Sequence, residues 1–346
     1  MKKFIFLLYV ILLFSSLSIH AEKLTEFQEP FEMIRLAMDE NQIYIADSSN
    51  NTVHIYSRKD FTHIGQFGKK GQGPTDFEFI GAIHVFPDYL FISAGRKVSY
   101  YSKNGEFLKT VTPPFPTTGG YIPLGPNFVC KNYHGENPKE KRSKITVELL
   151  DSKFKKKKDL YLAELNKLVR YNFETGKRDL LVTKDCFKLE VHNDRLYIGN
   201  TDAGFFFIVF DTKGNKLYEI DLPYEKRKIT SNEKKKTMDE FRGAIGAQEF
   251  NRRRAKYDYI FHKFYPAYYD FTVADKKIYV FSYPIIDVPQ EIIILDLKGN
   301  FLRKTIIPKI EPLRPYYCIN KGKLYYMDYN DETYKWELHV EPLQKS

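Results

Sequence analysis

Short runs of aromatic and β-branched residues, each closed by Gly, Asn or Asp, recur along most of the chain. One clear phrase is DRLYIGNTDAGFFFIVFDTKGNKLYEIDL, which begins at Asp194. A short apolar run (LYIGN) leads into a polar loop, a second apolar run (FFFIVFD), a tight turn and a third run. Runs of this length and composition, bounded by turn formers, predict strands rather than helices. The phrase also starts at Gln42, Asp88, Lys276 and Gly322, with a degenerate copy from Asn127. Its turns include Lys103-Asn104-Gly105, Lys213-Gly214-Asn215 and Lys298-Gly299-Asn300, where Gly and Asn accept positive φ cheaply. One more short run precedes each phrase: MIRLAMD, GAIHVF, YIPLG, FKLEVH, YDFTVAD and YYCIN. Four antiparallel strands per unit, repeated six times, would leave apolar faces wet unless the units closed into a ring. The pattern therefore predicts an all-β chain, a six-bladed β-propeller of four-stranded antiparallel blades.

The units are uneven. Second-strand starts are separated by 46, 39, 67, 82 and 46 residues, so the surplus lies in the third and fourth intervals. Lys139–Lys158 reads as a very basic hairpin. Leu165–Leu181 carries an extra strand pair around the turn Glu174-Thr175-Gly176. Tyr224–Phe264 lacks strand alternation. Thr230 followed by Glu233 offers a capping box, with Met238, Phe241 and Ile245 at helical spacing. Beyond Gly243 and Gly246, a second helical run places Phe250, Tyr257, Phe261 and Phe264 near one stripe. The expectation is a helical insertion at about 224–264. Lys23–Glu29 is positioned to lend a strand to the last blade.

Residues 1–21 read as a secretory signal peptide: Lys2 and Lys3, an apolar stretch from Phe4 to Phe14, then a small and polar tail ending at Ala21. An uncleaved anchor is the alternative, but the apolar stretch is short for a span of about 20 residues. No Cys near Ala21 supports a lipid anchor. Removing Lys2 and Lys3 leaves 52 basic and 44 acidic residues, a net charge of +8. An exported basic protein favours anionic partners, namely a protein or an anionic polysaccharide, with proximity to a membrane surface also open. Nucleic acid is not expected outside the cytoplasm. The expected location is the periplasm, the cell surface or the medium of a bacterium. The three cysteines, Cys130, Cys186 and Cys318, are odd in number and widely spaced. They fit free thiols better than a disulfide framework.

The stretch GQFGKKGQGPTDF, Gly65 to Phe77, raises the question of a phosphate loop. Gly68, Gly71 and Gly73 fit neither phosphate-binding spacing, and Lys69 and Lys70 precede the key glycines. Preceded by IYIADSSNNTVHIY, the stretch resembles NHL-type repeats and related six-bladed propeller proteins of bacteria. The matching positions are Asp47, Asn50 or Asn51, Gly71, Gly73, Pro74 and Phe77. The resemblance implies that the loop is an inter-blade joint with Phe77 as its plug. It implies fold more than function, since propellers host many activities.

In such propellers the first strands line a central channel. Aligning them puts Arg35, Ala82, Tyr121, Lys188, Asp270 and Tyr316 at one level, a mixed ring in which Asp270 is the one carboxylate. That is too few oxygens for a lactonase-like calcium site. The eight histidines form no H-x-x-x-H pair, no C-x-x-C exists, and no G-x-S-x-G elbow is present. The sequence thus predicts no catalytic residue, no metal and no cofactor. Asp270 beside Arg35 and Lys188 reads as an ion pair before an acid–base group. Arg252, Arg253 and Arg254, with Tyr257, Tyr268 and Tyr269, are candidates for a cationic, aromatic binding surface. The resulting expectation is a non-enzymatic binding or scaffold disc. The alternative is a propeller hydrolase or lyase acting at the channel.

Overall fold

The computed structural model describes residues 21–29, 31, 32, 34–115, 117, 120–134, 142–307 and 316–343. The expected signal peptide, apart from Ala21, lies outside the described residues, as do Lys139 and Lys141 of the basic hairpin.

Strand β1 (Glu22–Phe27) stands apart in sequence from the blade that follows it. Blade 1 is β2 (Ile34–Met38), β3 (Gln42–Asp47), β4 (Thr52–Ser57) and β5 (His63–Phe67). Blade 2 is β6 (Ala82–Val85), β7 (Leu90–Ala94), β8 (Lys97–Tyr101) and β9 (Phe107–Val111). Blade 3 is β10 (Tyr121–Leu124), β11 (Asn127–His134), β12 (Arg142–Leu150) and β13 (Lys156–Asn166). A side pair, β14 (Val169–Tyr171) and β15 (Arg178–Leu181), precedes blade 4. Blade 4 is β16 (Phe187–His192), β17 (Arg195–Asn200), β18 (Phe205–Phe210) and β19 (Lys216–Leu222). Helices α1 (Ser231–Ile245) and α2 (Ala247–Arg254) and strand β20 (Tyr257–Ile260) follow. Blade 5 is β21 (Asp270–Ala274), β22 (Lys277–Phe281), β23 (Gln290–Asp296) and β24 (Phe301–Ile307). Blade 6 is β25 (Tyr317–Asn320), β26 (Lys323–Asn330) and β27 (Lys335–Pro342), completed by β1.

The predicted fold is the observed one: six four-stranded antiparallel sheets in a propeller. Why these strands need a ring is visible in the core. Each consecutive pair of blades shares one buried cluster, and the last pair, blades 6 and 1, shares one as well. Strand β3 serves two of them. Ile43 and Ile45 face blade 6, whereas Tyr44 and Ala46 face blade 2. Side chains alternate faces along a strand, so a blade flanked on both sides needs an unbroken apolar run. QIYIAD, LYIGN and KIYVF are such runs. Each large apolar side chain taken out of water contributes about 1.5–3 kcal/mol.

Closure uses the chain's two described ends. Strand β1 pairs with β27 from Glu22 opposite Val340 to Phe27 opposite Trp336. The Trp336 indole N–H donates to the Phe31 carbonyl at 2.6 Å. The expected strand from Lys23–Glu29 is thus present.

The joint at Gly65–Phe77 is a connector. Phe77 is fully buried between blades 1 and 2. Its amide donates to the Lys69 carbonyl at 2.8 Å, and its own carbonyl accepts from the Gly71 amide at 3.1 Å. Gly68 has a φ of +85°, and a Cβ there would collide with the Phe77 ring.

Turn aspartates repeat around the disc. Asp211 Oδ1 accepts from the Lys213 and Asn215 amides, both at 2.8 Å, and Asp296 Oδ1 accepts from those of Lys298 and Asn300. Hydrogen bonds from Asn215 and Asn300 hold both carboxyls below the ordinary aspartate range. A depressed carboxyl stabilises the fold above the unfolded value and loses that contribution as pH falls through the folded one. The melting temperature should therefore drop on acidification below about pH 4, and the Asp211→Asn, Asp296→Asn double variant should drop less steeply. An unchanged slope in a thermal-melt series against pH would remove these turns from the acid response.

The insertion begins as its sequence predicts. Thr230 Oγ1 accepts from the Glu233 amide at 3.2 Å, and the Glu233 carboxylate accepts from the Thr230 amide at 2.9 Å. Its second half differs. The helix ends at Arg254, and Tyr257–Ile260 is a strand that pairs in parallel with β15. The expected helical stripe of Phe250, Tyr257, Phe261 and Phe264 therefore does not form. Tyr and Ile suit a strand, and the open edge of β15 supplies partners that helical spacing could not foresee. The result is a three-stranded side sheet in the order β14-β15-β20.

Candidate functional site

Two regions gather polar side chains: the inner ends of blades 4 to 6, and the side sheet with its helices.

On β16, Phe187, Leu189 and Val191 pack toward blade 3, so Lys188 and Glu190 point the other way. On β21, Phe271 and Val273 pack toward blade 4, leaving Asp270 and Thr272 on the opposite face. Lys188 Nζ lies 3.1 Å from Asp270 and 3.6 Å from Glu190, and donates to the Phe271 carbonyl at 2.7 Å. The Tyr317 hydroxyl donates to Asp270 at 2.6 Å, and Thr272 donates to Glu190 at 3.0 Å. The Lys188 side chain keeps 33% of its surface exposed, so the network is not sealed entirely in dry core. Burial pulls the Lys188 ammonium down, but the carboxylates of Asp270 and Glu190 outweigh it and raise its pKa. Burial raises the Glu190 carboxyl, more than Lys188 lowers it. Lys131 on β11 lies 5.9 Å from the centre of the Phe187 ring. Burial draws its amine down; Lys188 adds to this and Cys186 opposes it.

Of the five sequence-derived channel candidates, Lys188 and Asp270 come together. Arg35 is half-buried and donates to the Ile34 carbonyl at 3.0 Å. Tyr121 and Tyr316 do not line the channel. Tyr121 is buried between blades 2 and 3, its hydroxyl on the Phe115 carbonyl. Tyr316 is buried between blades 6 and 1, donating to the Glu32 carbonyl at 3.2 Å. The common level slipped because β10 is short and starts at Tyr121 opposite Cys130, whereas Tyr317 rather than Tyr316 reaches across to Asp270. Glu190 and Thr272 were readable: each lies two positions beyond a candidate, on the same strand face. Lys131 and Tyr317 gave no such signal.

The surface candidates also divide. Arg252 and Arg253 both bind Glu249, at 2.6 and 2.8 Å, and hold its carboxyl down at about 2. Arg253 lies over Phe241 and Arg254 over Phe250, at 5.9 and 6.0 Å from the ring centres. Tyr257 is half-buried on β20, and Tyr269 packs edge-on against Tyr283. Tyr268 is not on the surface. It is fully buried between blades 4 and 5, stacked on Phe207 at 5.2 Å. Gly199 makes the room, since a Cβ there would come 2.7 Å from the Tyr268 hydroxyl.

Charge and apolar surface meet on this side. Residues 224–264 hold twelve Lys and Arg against six Asp and Glu, net +6 of the whole chain's +10. The adjoining side sheet and its turns expose Leu168, Val169, Tyr171, Phe173 and Ile260. Between them lies a cleft of ≈ 170 Å³ lined by Asn166, Lys167, Arg170, Asp179, Phe261 and His262. Arg170 on β14 and Asp179 opposite it on β15 pair at 2.6 Å in its lining.

Cys130, Cys186 and Cys318 are unpaired thiols. Burial pushes Cys130 and Cys318 up to about 12 and raises Cys186 as well, which leaves all three poor nucleophiles at neutral pH. Among the described residues no helix is long and apolar enough to cross a membrane.

No family model and no curated protein matches the chain. Solved structures do. A protein of Bacteroides fragilis NCTC 9343 described as exported is 14% identical, with a TM-score of 0.53 over 94% of this chain and 95% of its own. The Pan2 WD40 domain of Neurospora crassa is 9% identical, with a TM-score of 0.43 over 95% of this chain and 98% of its own. A streptogramin B lyase is 10% identical, with a TM-score of 0.43 over 94% and 88%. At these identities the first of them supports the fold and nothing finer.

Proposed function

We propose that this is an exported, non-enzymatic propeller that docks an acidic protein through its side sheet and helical insertion. The observation that carries this reading is the meeting of exposed Leu168, Val169, Tyr171 and Phe173 with a segment holding net +6. Aromatic and arginine side chains at the centre of a patch supply most binding energy in protein interfaces. Aliphatic neighbours such as Leu168 and Val169 favour a protein over a glycan. The charge steers an anionic partner toward the patch and makes association sensitive to salt. The channel supports this reading from the other side: Lys188, Glu190, Asp270, Thr272 and Tyr317 satisfy one another, as a structural network does. A hydrolase or lyase in the channel stays the second reading because of Lys131, whose amine is held low beside that network.

A photo-crosslinking phenylalanine analogue at position 173 tests the proposal in the native cell envelope. One discrete acidic protein should be captured, and capture should fail when Arg252, Arg253 and Arg254 become Glu. The same analogue at exposed position 301, on blade 5, should capture nothing discrete. Equal labelling from both positions, or capture indifferent to the arginines, overturns the docking surface. Salt-labile retention on an acidic polysaccharide without any protein adduct would replace the protein partner with a glycan.

A further inference from the structure

Glu29, His54 and His63 converge at the seam where the ring closes. Glu29 follows the closing strand β1, while His54 sits on β4 and His63 opens β5. The pairing register puts His63 opposite Tyr56, on the same face of blade 1 as His54. One ligand atom from each of the three side chains lies within 4.8 Å of the other two. His54 is only 8% exposed, and its Nδ1 is buried with no hydrogen-bond partner. The Tyr56 hydroxyl beside it is also buried and faces the Glu29 carboxylate. Phe31 packs edge-on against the His54 ring at 5.1 Å and walls the site on one side. A buried imidazole nitrogen with nothing to bind is costly, and most such atoms in folded proteins are satisfied.

We propose that Glu29, His54 and His63 form a site for a divalent borderline transition metal, with Zn²⁺ as the probe, and that the bound ion pins the closing strand to blade 1. Two imidazoles and one carboxylate with a fourth position open to water make a familiar zinc donor set. Imidazole donors select against calcium and magnesium, which take oxygen ligands. Bonds of about 2.1 Å in a tetrahedron put donors roughly 3.4 Å apart. Rotation of the exposed His63 side chain would have to close the remaining distance. The sequence hides this site because the two histidines are nine residues apart on neighbouring strands and the carboxylate comes from before the first blade. The ion would join blade 1 to the segment that completes blade 6, so it binds the closed ring and not the open chain.

The test uses tag-free protein stripped of metal with a chelator. Co²⁺ titration by visible absorption and Zn²⁺ competition should give one tight site per chain, with the spectrum of a four-coordinate ion. Zn²⁺ at a hundredfold excess over its dissociation constant should favour the folded state about 100-fold and raise the melting midpoint. Hydrogen exchange at the β1 amides should slow with metal. His63→Ala alters an exposed side chain and Glu29→Gln keeps the shape of its own, so both should fold, yet each should weaken the metal at least roughly tenfold. Absence of stoichiometric binding overturns the proposal. Binding that is equally tight in both variants also overturns it, since the ion then sits elsewhere.

Discussion

Replacing Phe77 with alanine is expected to destabilise the protein by about 3–5 kcal/mol, the usual cost of removing a buried aromatic ring. The ring is fully buried and is wrapped by Tyr101, Phe67, Ile80 and Val53 from two blades. The walls cannot collapse into the gap. Gly68 already touches the ring, and the loop backbone is fixed by the hydrogen bonds at Lys69 and Gly71. At roughly 2–4 °C per kcal/mol, the melting temperature should fall by about 10 °C. Phe79→Ala, two residues beyond the joint and exposed, is the control and should change it little. Equal effects from the two variants would mean that the joint is not a packed seam.

Removing β1, by starting the chain at Glu29, should cost more. Phe27 is buried against Trp336, Leu338 and Tyr56 in the cluster shared by blades 6 and 1. Without β1 the outer edge of β27 loses its hydrogen-bonded neighbour, and this cluster opens to water. The loss should be of about 5 kcal/mol or more, within the range of a whole domain's stability. Thermal melts should show a collapsed or broadened transition, with association through the bare edge visible in size-exclusion chromatography. A synthetic peptide of Glu22–Gln28 added in trans should restore a sharp transition. A truncated chain that melts like the full one would show that the ring closes without this strand.

Much of the fold was legible because propeller blades repeat their own chemistry. Short runs such as LYIGN and KIYVF are apolar on both faces, since a blade is packed on both sides, and the turns at Gly214 and Gly299 mark where each chain segment reverses. Those signals are local. The side sheet was half legible for the same reason: the turn at Gly176 announced β14 and β15, but β20 pairs with a strand about 79 residues earlier. Nothing in YDYI names that partner. In the channel, Lys188 and Asp270 were found because a strand's facing follows from counting by two. Tyr121 and Tyr316 were misplaced because one shift in a four-residue strand turns a side chain from channel to core. Tyr268 was misread as surface because aromatic residues near basic ones look alike in sequence whether they stack on Phe207 or face water. The cluster of Glu29, His54 and His63 was not legible at all, because its members meet only through a hairpin and a ring closure.

The closing strand also sets the order in which the molecule can form. Phe27 and Trp336 are more than three hundred residues apart in the chain and opposite each other in the sheet. During synthesis the first of the pair emerges early and waits for the last. Such distant pairing pays its loop-closure entropy before any contact rewards it, and folding slows accordingly. Blades 2 to 5 can condense on their neighbours as they appear. Blade 6 cannot finish until both β1 and β27 are present, so the last step in closing this ring is the meeting of its first and last strands.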